Sequence, residues 1–330
     1  MNKEFNYEFK GNFNYNDNFN SPIQDGDVQK IKNYSKSYPA DANDALELSN
    51  LYGNITIHTW AKNEVKADVQ IKVHASDDGN AQRALDNITI EDEKEGNTIS
   101  FKTTIPSIRS GWHWGNGNNN QKVEVNYIVY MPARLQLDVK NTYGSINLPD
   151  LDGEVKVKSA YSNVTIQRLS NPQCAISGSY GTLKIGDING GRINFAYGDI
   201  ALQEVNNLRA NISYGSVSLG RLKGSVNLNL AYLGNLRVAE VNDALKNLNI
   251  NSAYSDLKLG ISNRSNFKFD VIVTYAGFKY DDSKVNISNQ TPEPGSRGFN
   301  PTKTYRGTFG KGNTDSQVTI TSSYGSVNFD

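Results

Sequence analysis

One cysteine, Cys174, stands in 330 residues, which rules out a disulfide framework and any cysteine-built metal site. It occupies an inward position of its segment, where an inert buried thiol is expected. Histidine is nearly as scarce. His58, His74 and His113 lie in separate segments without the spacing that metal ligands need, so no metal site is expected. Neither sign of charge dominates: lysine and arginine number 34, aspartate and glutamate 34, with no long run of either. That excludes the electrostatic footprint of a nucleic-acid or anionic-lipid binder. No run is apolar for long enough to span a membrane. The opening residues, MNKEFNYEFKG, lack the apolar core of a signal peptide, so the chain is expected to be either cytoplasmic or the mature form of an exported protein. Nucleophile motifs, phosphate loops and dinucleotide fingerprints are also missing, and no catalytic residue or cofactor is expected.

What the sequence has is a repeat. The stretch NTYGSINL, residues 141–148, recurs with its tyrosine at Tyr143, Tyr161, Tyr180, Tyr197, Tyr214, Tyr232, Tyr254 and Tyr275, at intervals of 17 to 22 residues. Outlying copies carry Tyr52 and Tyr324, so ten of the eighteen tyrosines are in register. Apolar residues make up 37% of the chain, and asparagine, glycine, serine and tyrosine fill the difference. A strand-like repeat of this length predicts an all-β solenoid with one narrow core column.

The repeat divides the chain. Residues 1–45 read as a flexible polar arm with a short lead-in strand over 32–38, ended by Pro39. Residues 46–132 read as an N-terminal β-rich cap holding the first rung. In it Val65, Ala67, Val69, Ile71 and Val73 alternate as a half-buried strand, and Asp77 or Asp78 caps one short helix through Ala81, Ala84 and Leu85. A hairpin turns at Gly96-Asn97, and KVEVNYIVYMP is a strand ended by Pro132. Regular rungs fill 133–280, a loop insertion 281–313, and a final rung 314–330. The insertion is expected to fold as a lid over the open edge of that final rung.

Parity shows how one rung works. Leu135, Leu137 and Val139 are in phase with Tyr143, whereas Ile146 and Leu148 are displaced by one residue. The chain must therefore bend after each tyrosine, and the residue that follows is small, as at Gly144, Ser162, Gly181 and Gly198. At Tyr232 the added Leu233-Gly234 removes the displacement. A second corner is expected where Gly153, Asn171, Gly190, Asn207, Gly224 and Asp243 tolerate left-handed backbone. Because each tyrosine continues an inward set, the ten form a structural ladder, stacked between rungs with hydroxyls reaching water.

The motifs NTYGSINL, SAYSNVTI and SGSYGTLKI, with VYMP ahead of them, resemble the bacterial putative-adhesin β-solenoid family over about 46–280 and 316–330. That resemblance implies a right-handed parallel β-helix, export to the periplasm or cell surface, and no catalytic residues to assign. Two places outside the repeat are candidate ligand sites: the loop GWHWGNG, which displays Trp112, His113 and Trp114 between glycines, and the adjacent acids Asp281 and Asp282. Outward positions such as Asn147, Thr165, Lys184, Ala201, Ser218, Arg237 and Lys258 are mixed and suit interaction more than catalysis. A non-enzymatic adhesin-like surface or scaffold is the expected function. The alternatives are a polysaccharide-binding or polysaccharide-cleaving β-helix and an end-to-end self-assembling protein. The expected partner is a protein or glycan surface, and the expected state a monomer or weak homodimer.

Overall fold

The computed structural model describes residues 28–105, 121–293, 295–296, 298–311 and 314–330. The N-terminal cap begins with β1 (Val28–Pro39), β2 (Ala45–Thr59) and β3 (Glu64–Ala75). β1 pairs antiparallel with β3 along its whole length, so the lead-in strand is longer than 32–38 and is the outer strand of the cap. Exposed Lys32 and Lys36 place charge along this strand, a usual guard against edge-to-edge pairing, whereas Lys30 is held by Asp78 at 2.9 Å. Helix α1 (Asp78–Asn87) starts where Asp77 accepts a 2.8 Å hydrogen bond from the Asn80 amide, and it buries Ala81, Ala84 and Leu85. β4 (Thr89–Glu95) and β5 (Thr98–Thr104) form the hairpin, with Gly96 at φ 55 in its turn. β6 (Lys122–Met131) is antiparallel to β3.

The first rung is β2, and two strands cover its free edge. β5 runs parallel to Ala45–Ser49, and β6 runs parallel to Ile55–Thr59. Beneath the gap between them, Asn50 donates to the Val125 carbonyl at 2.9 Å, and Thr103 donates to Asn50 at 2.8 Å and shares a 2.8 Å bond with Tyr127. These buried polar groups satisfy one another, so the cap closes without orphaned donors on these side chains.

From there the chain winds. β7 (Gln136–Leu151) lies parallel on β2, β8 (Val155–Leu169) lies parallel on β7, and β9 (Ala175–Ala253) continues as extended chain through four further tyrosine corners. β10 (Asp256–Ile261) then pairs parallel with β9. Equivalent residues sit directly above one another: Leu137 on Val155, Ile146 on Val164, Leu148 on Ile166. The alternating apolar positions therefore form continuous inner columns, and Leu137, Val139, Ile146 and Leu148 are at most 3% exposed. Burying one aliphatic side chain contributes about 1.5 to 3 kcal/mol. The second-corner apolar residues Leu151, Leu169, Ile188, Val205, Leu222 and Val241 join the same core.

Two sequence-based expectations about the corners are corrected. At the second corner only Gly190, Asn207 and Gly224 have positive φ; Gly153, Asn171 and Asp243 do not. Gly153 serves a different need, since a Cβ there would lie 2.1 Å from the Leu135 carbonyl oxygen. At the first corner the left-handed residue is the tyrosine itself. The small residue after it answers the close approach of rungs: a Cβ on Gly144 would meet the Gly53 carbonyl oxygen at 1.9 Å.

The C-terminal third departs furthest from chain order. β11 (Phe267–Thr274), β12 (Phe278–Lys279), β13 (Val285–Thr291), β14 (Thr302–Phe309), β15 (Gln317–Ser323) and β16 (Val327–Phe329) complete the molecule. β15 pairs parallel with β9 on one side (Ile320 with Ile250) and parallel with β11 on the other (Ile320 with Val271). β16 likewise sits between β10 and β12. The rung of Tyr324 is thus inserted between those of Tyr254 and Tyr275 and is not the end of the solenoid. The insertion makes an antiparallel pair, β13 on β14, and β14 lies antiparallel on β11. It covers the edge of β11, and the final-rung edge it was expected to cover is already paired on both sides.

Candidate functional site

All ten repeat tyrosines adopt left-handed backbone, with φ between 51 and 61. For a bulky residue this costs about 1 to 2 kcal/mol each. The conformation bends the chain and turns the side chain out, so nine of the rings are 42–54% exposed rather than inward as parity suggested. Strand alternation holds only while φ stays extended, and one left-handed residue breaks it. The rings stack in the order Tyr52, Tyr143, Tyr161, Tyr180, Tyr197, Tyr214, Tyr232, Tyr254, Tyr324, Tyr275, with centroids 4.7–5.2 Å apart. Aromatic pairs contribute about 0.5 to 1.5 kcal/mol each, enough to offset much of the backbone cost. Ring faces are consumed by this stacking, and the ladder offers edges and hydroxyls to solvent. At its far end Phe299 of the insertion, 83% exposed, lies tilted 6.3 Å from Tyr275.

Alongside the ladder runs an open groove of about 880 Å³, lined by the three residues that precede the tyrosine in successive rungs. One column is Asn194, Asn211, Asn229 and Asn251, whose amides donate rung to rung at 2.7, 2.8 and 3.1 Å. The next outward column is small: Thr142, Ala160, Ser179, Ala196, Ser213, Ala231 and Ala253. Lys140 and Lys158 stand at one end, and no carboxylate, histidine or cysteine lines the groove. Chemically it can donate and accept hydrogen bonds at rung spacing and cover methyl-sized apolar surface.

A second hollow, about 260 Å³, lies at the other corner against Arg168, Asp187, Glu204 and Lys223. Three of these four charged residues, Arg168, Glu204 and Lys223, are ion-paired. Asp150 pairs with Arg168 at 3.0 Å, and Glu204 pairs with Arg221 at 2.6 Å and with Lys223 at 2.7 Å. Arg221 also reaches Glu240 at 3.2 Å. Hydrogen bonds from Asn242 and Arg221 hold the Glu240 carboxyl below its usual range despite partial burial.

Trp112, His113 and Trp114 lie outside the described residues. Asp281 and Asp282 are exposed on a turn, where Asp281 accepts bonds from the Ser283 hydroxyl (2.7 Å) and amide (2.9 Å). Those bonds hold the Asp281 carboxyl below its usual range and make it a turn cap. His58 and Trp60 both stack on Tyr130, and Trp60 Nε1 donates to the Glu64 carbonyl at 2.7 Å. Cys174 is buried, and burial pushes its thiol up. Among the described residues no three His, Cys, Asp or Glu side chains cluster as a metal site, and no helix is long and apolar enough to cross a membrane. The asparagine column lies outside the sequence-derived candidates, whose outward positions all follow the tyrosine. Its signal is an asparagine three residues ahead of Tyr197, Tyr214, Tyr232 and Tyr254.

Three solved structures are similar to this chain. One is a putative cell adhesion protein from Clostridium sporogenes, 12% identical, covering 91% of this chain and 99% of that one, with a TM-score of 0.26. Another is a putative adhesin from Bacteroides fragilis, 12% identical, covering 91% and 97%, with a TM-score of 0.33. A third is a putative lipid binding protein from Parabacteroides distasonis, 13% identical, covering 90% and 96%, with a TM-score of 0.39. Likeness of this degree carries no functional argument. No curated protein matches the chain. The model of one family, however, matches residues 43–330, from the lead into the first rung to the interleaved last one. By that match across cap, rungs and insertion, the chain belongs to the Toastrack DUF4097 family.

Proposed function

We propose that the chain is an exported, non-enzymatic solenoid, wound to the right, that acts as an adhesin-like surface, and that its binding face is the groove beside the tyrosine ladder. The observation that carries this reading is the groove's composition. It presents asparagine amides, hydroxyls and methyl groups along its rungs, without a carboxylate or histidine to perform chemistry. The handedness follows from the strong preference of parallel crossovers for the right-handed sense. A rigid ladder also suits a surface protein, because a ligand binds without first having to order the site.

A polysaccharide is the favoured ligand class within this reading. The asparagine column repeats along the rungs, so a chain with its own short repeat can make the same hydrogen bonds several times over. Stacking of sugar rings on tyrosine faces is excluded along most of the ladder, since those faces are covered by neighbouring rings. The test is binding to an array of purified glycans, run with a parallel screen for polysaccharide cleavage. Expected is binding without turnover, weakened at least tenfold in an Ala196→Trp/Ala231→Trp variant that fills the groove. Turnover of any polysaccharide overturns the non-enzymatic reading, and undiminished binding by the filled variant places the site elsewhere.

A further inference from the structure

The rung formed by β15 and β16 differs from every other rung in how it is held. Its neighbours are joined to each other by the chain of residues 262–266, so both walls of its slot are held together without it. The rung itself follows β14 in the chain. It is paired on both sides over seven residues, with Gln317 to Ser323 against Asn247 to Ala253 and against Lys268 to Thr274. Its inward residues Val318, Ile320, Val327 and Phe329 are at most 4% exposed. At its entry Thr314 donates to the Asn266 carbonyl at 2.8 Å, Ser316 donates to the Leu245 carbonyl at 2.7 Å, and the Ser316 carbonyl accepts from the Lys268 amide at 2.9 Å.

From this geometry we infer that the slot between the Tyr254 and Tyr275 rungs is a docking site for a second copy of this chain, which inserts its own residues 314–330 there. The occupant is fixed by complementarity. The slot requires an extended segment with two inward apolar residues, a left-handed tyrosine in register with Tyr254 and Tyr275, and two further inward apolar residues. The segment that meets those demands is the one already seated, and an identical segment from another copy makes identical contacts. Exchange costs only the opening of the rung, because the closed and exchanged states share every strand pair. A reciprocal exchange gives a dimer; an unreciprocated one leaves a slot and a free rung that recruit further copies. This inference stands apart from the groove and does not rest on it.

The register supplies the test. Ser322 lies opposite Ser252 on the adjacent parallel strand, both buried, at a spacing of about 4.8 Å that falls inside the disulfide range. A full-length Ser252→Cys/Ser322→Cys chain should close an internal disulfide and confirm that the pair can be bridged. Full-length Ser252→Cys and Ser322→Cys chains are then mixed at high concentration, taken through mild denaturant, returned to buffer and oxidised. The expected product is a mixed disulfide species of twice the monomer mass, at least tenfold more abundant than in either variant treated alone. If the double variant closes but the mixture yields no excess of mixed dimer, the slot does not accept a second copy.

Discussion

Each repeat tyrosine is a strained residue held in place by its neighbours. Left-handed backbone normally selects glycine or asparagine, and here a bulky aromatic takes it ten times. Stacking is the compensation, and it is collective, because an interior ring has a partner on each face. Tyr197, for example, lies 4.9 Å from Tyr180 and 4.7 Å from Tyr214. Two substitutions separate the opposing terms. Tyr197→Ala loses the stacking and keeps the strained backbone, and should destabilise by about 1 to 3 kcal/mol. Tyr197→Gly loses the same stacking but relieves the strain, and should be more stable than the alanine variant by about 1 kcal/mol. Urea melts of the two variants check the order, which is the reverse of that for a residue inside a regular strand; equal stability would mean that the corner carries no strain.

At the scale of elements, both ends of the solenoid are closed by strand pairing, and the N-terminal cap adds a buried ion pair. In the N-terminal cap Asp44, 3% exposed, accepts from Lys94 at 2.7 Å and from the Asp41 amide at 2.9 Å. The Lys94 bond, with the Asp41 amide, outweighs burial and holds the Asp44 carboxyl below its usual range. A carboxyl depressed in the folded state contributes stability above its unfolded pKa of about 3.9 and loses it as pH falls through the folded value. Thermal melts should therefore show the cap weakening below about pH 4, and Asp44→Asn should flatten that limb while lowering stability at neutral pH by about 1 to 3 kcal/mol. The opposite sign holds for Tyr38. Its 2.5 Å bond to Asp92, with burial, pushes its hydroxyl up to about 12. That contribution is complete below about pH 10 and is lost as pH rises towards the folded value; Tyr38→Phe should remove the alkaline limb. The C-terminal end is closed by backbone pairing. Deleting 283–311 removes β13 and β14 and bares β11 from Phe267 to Thr274. An unpaired apolar strand edge is a template for association, so sedimentation should show oligomers growing with concentration. A variant that stays monomeric would mean that another segment guards this edge.

For the molecule as a whole, the sequence showed how a rung is built but not the order in which rungs stack. The inner columns, the Asp77 cap and the Gly96 turn follow from local patterns, and local patterns are printed in the residues. Alternation also pointed to a bend at each tyrosine, but it placed the ring on the wrong side because it cannot register a single change in φ. The position of the Tyr324 rung was hidden for another reason. SAYSDLKL around Tyr254 and SSYGSVNF around Tyr324 share one local pattern, so the pattern by itself does not assign either to its slot. What decides the slot is long-range: the cover of β14 on one edge of β11 leaves the other edge for β15. The groove was legible only in part. Its asparagines recur in the sequence, but their alignment into one hydrogen-bonded column depends on the stacking register.

The interleaved rung has a consequence for how the protein is made. A chain growing from its N-terminus contains both walls of the slot before residues 314–330 exist. At a usual synthesis rate the interval between Tyr275 and Asp330 is roughly 3 to 11 seconds. During it, the Tyr254 and Tyr275 rungs present compatible edges to each other and can close together by mistake, one strand spacing too near. The late segment must then either arrive first or pry them apart. Completion of the fold therefore requires residues 314–330 to enter between two rungs that precede them in the chain.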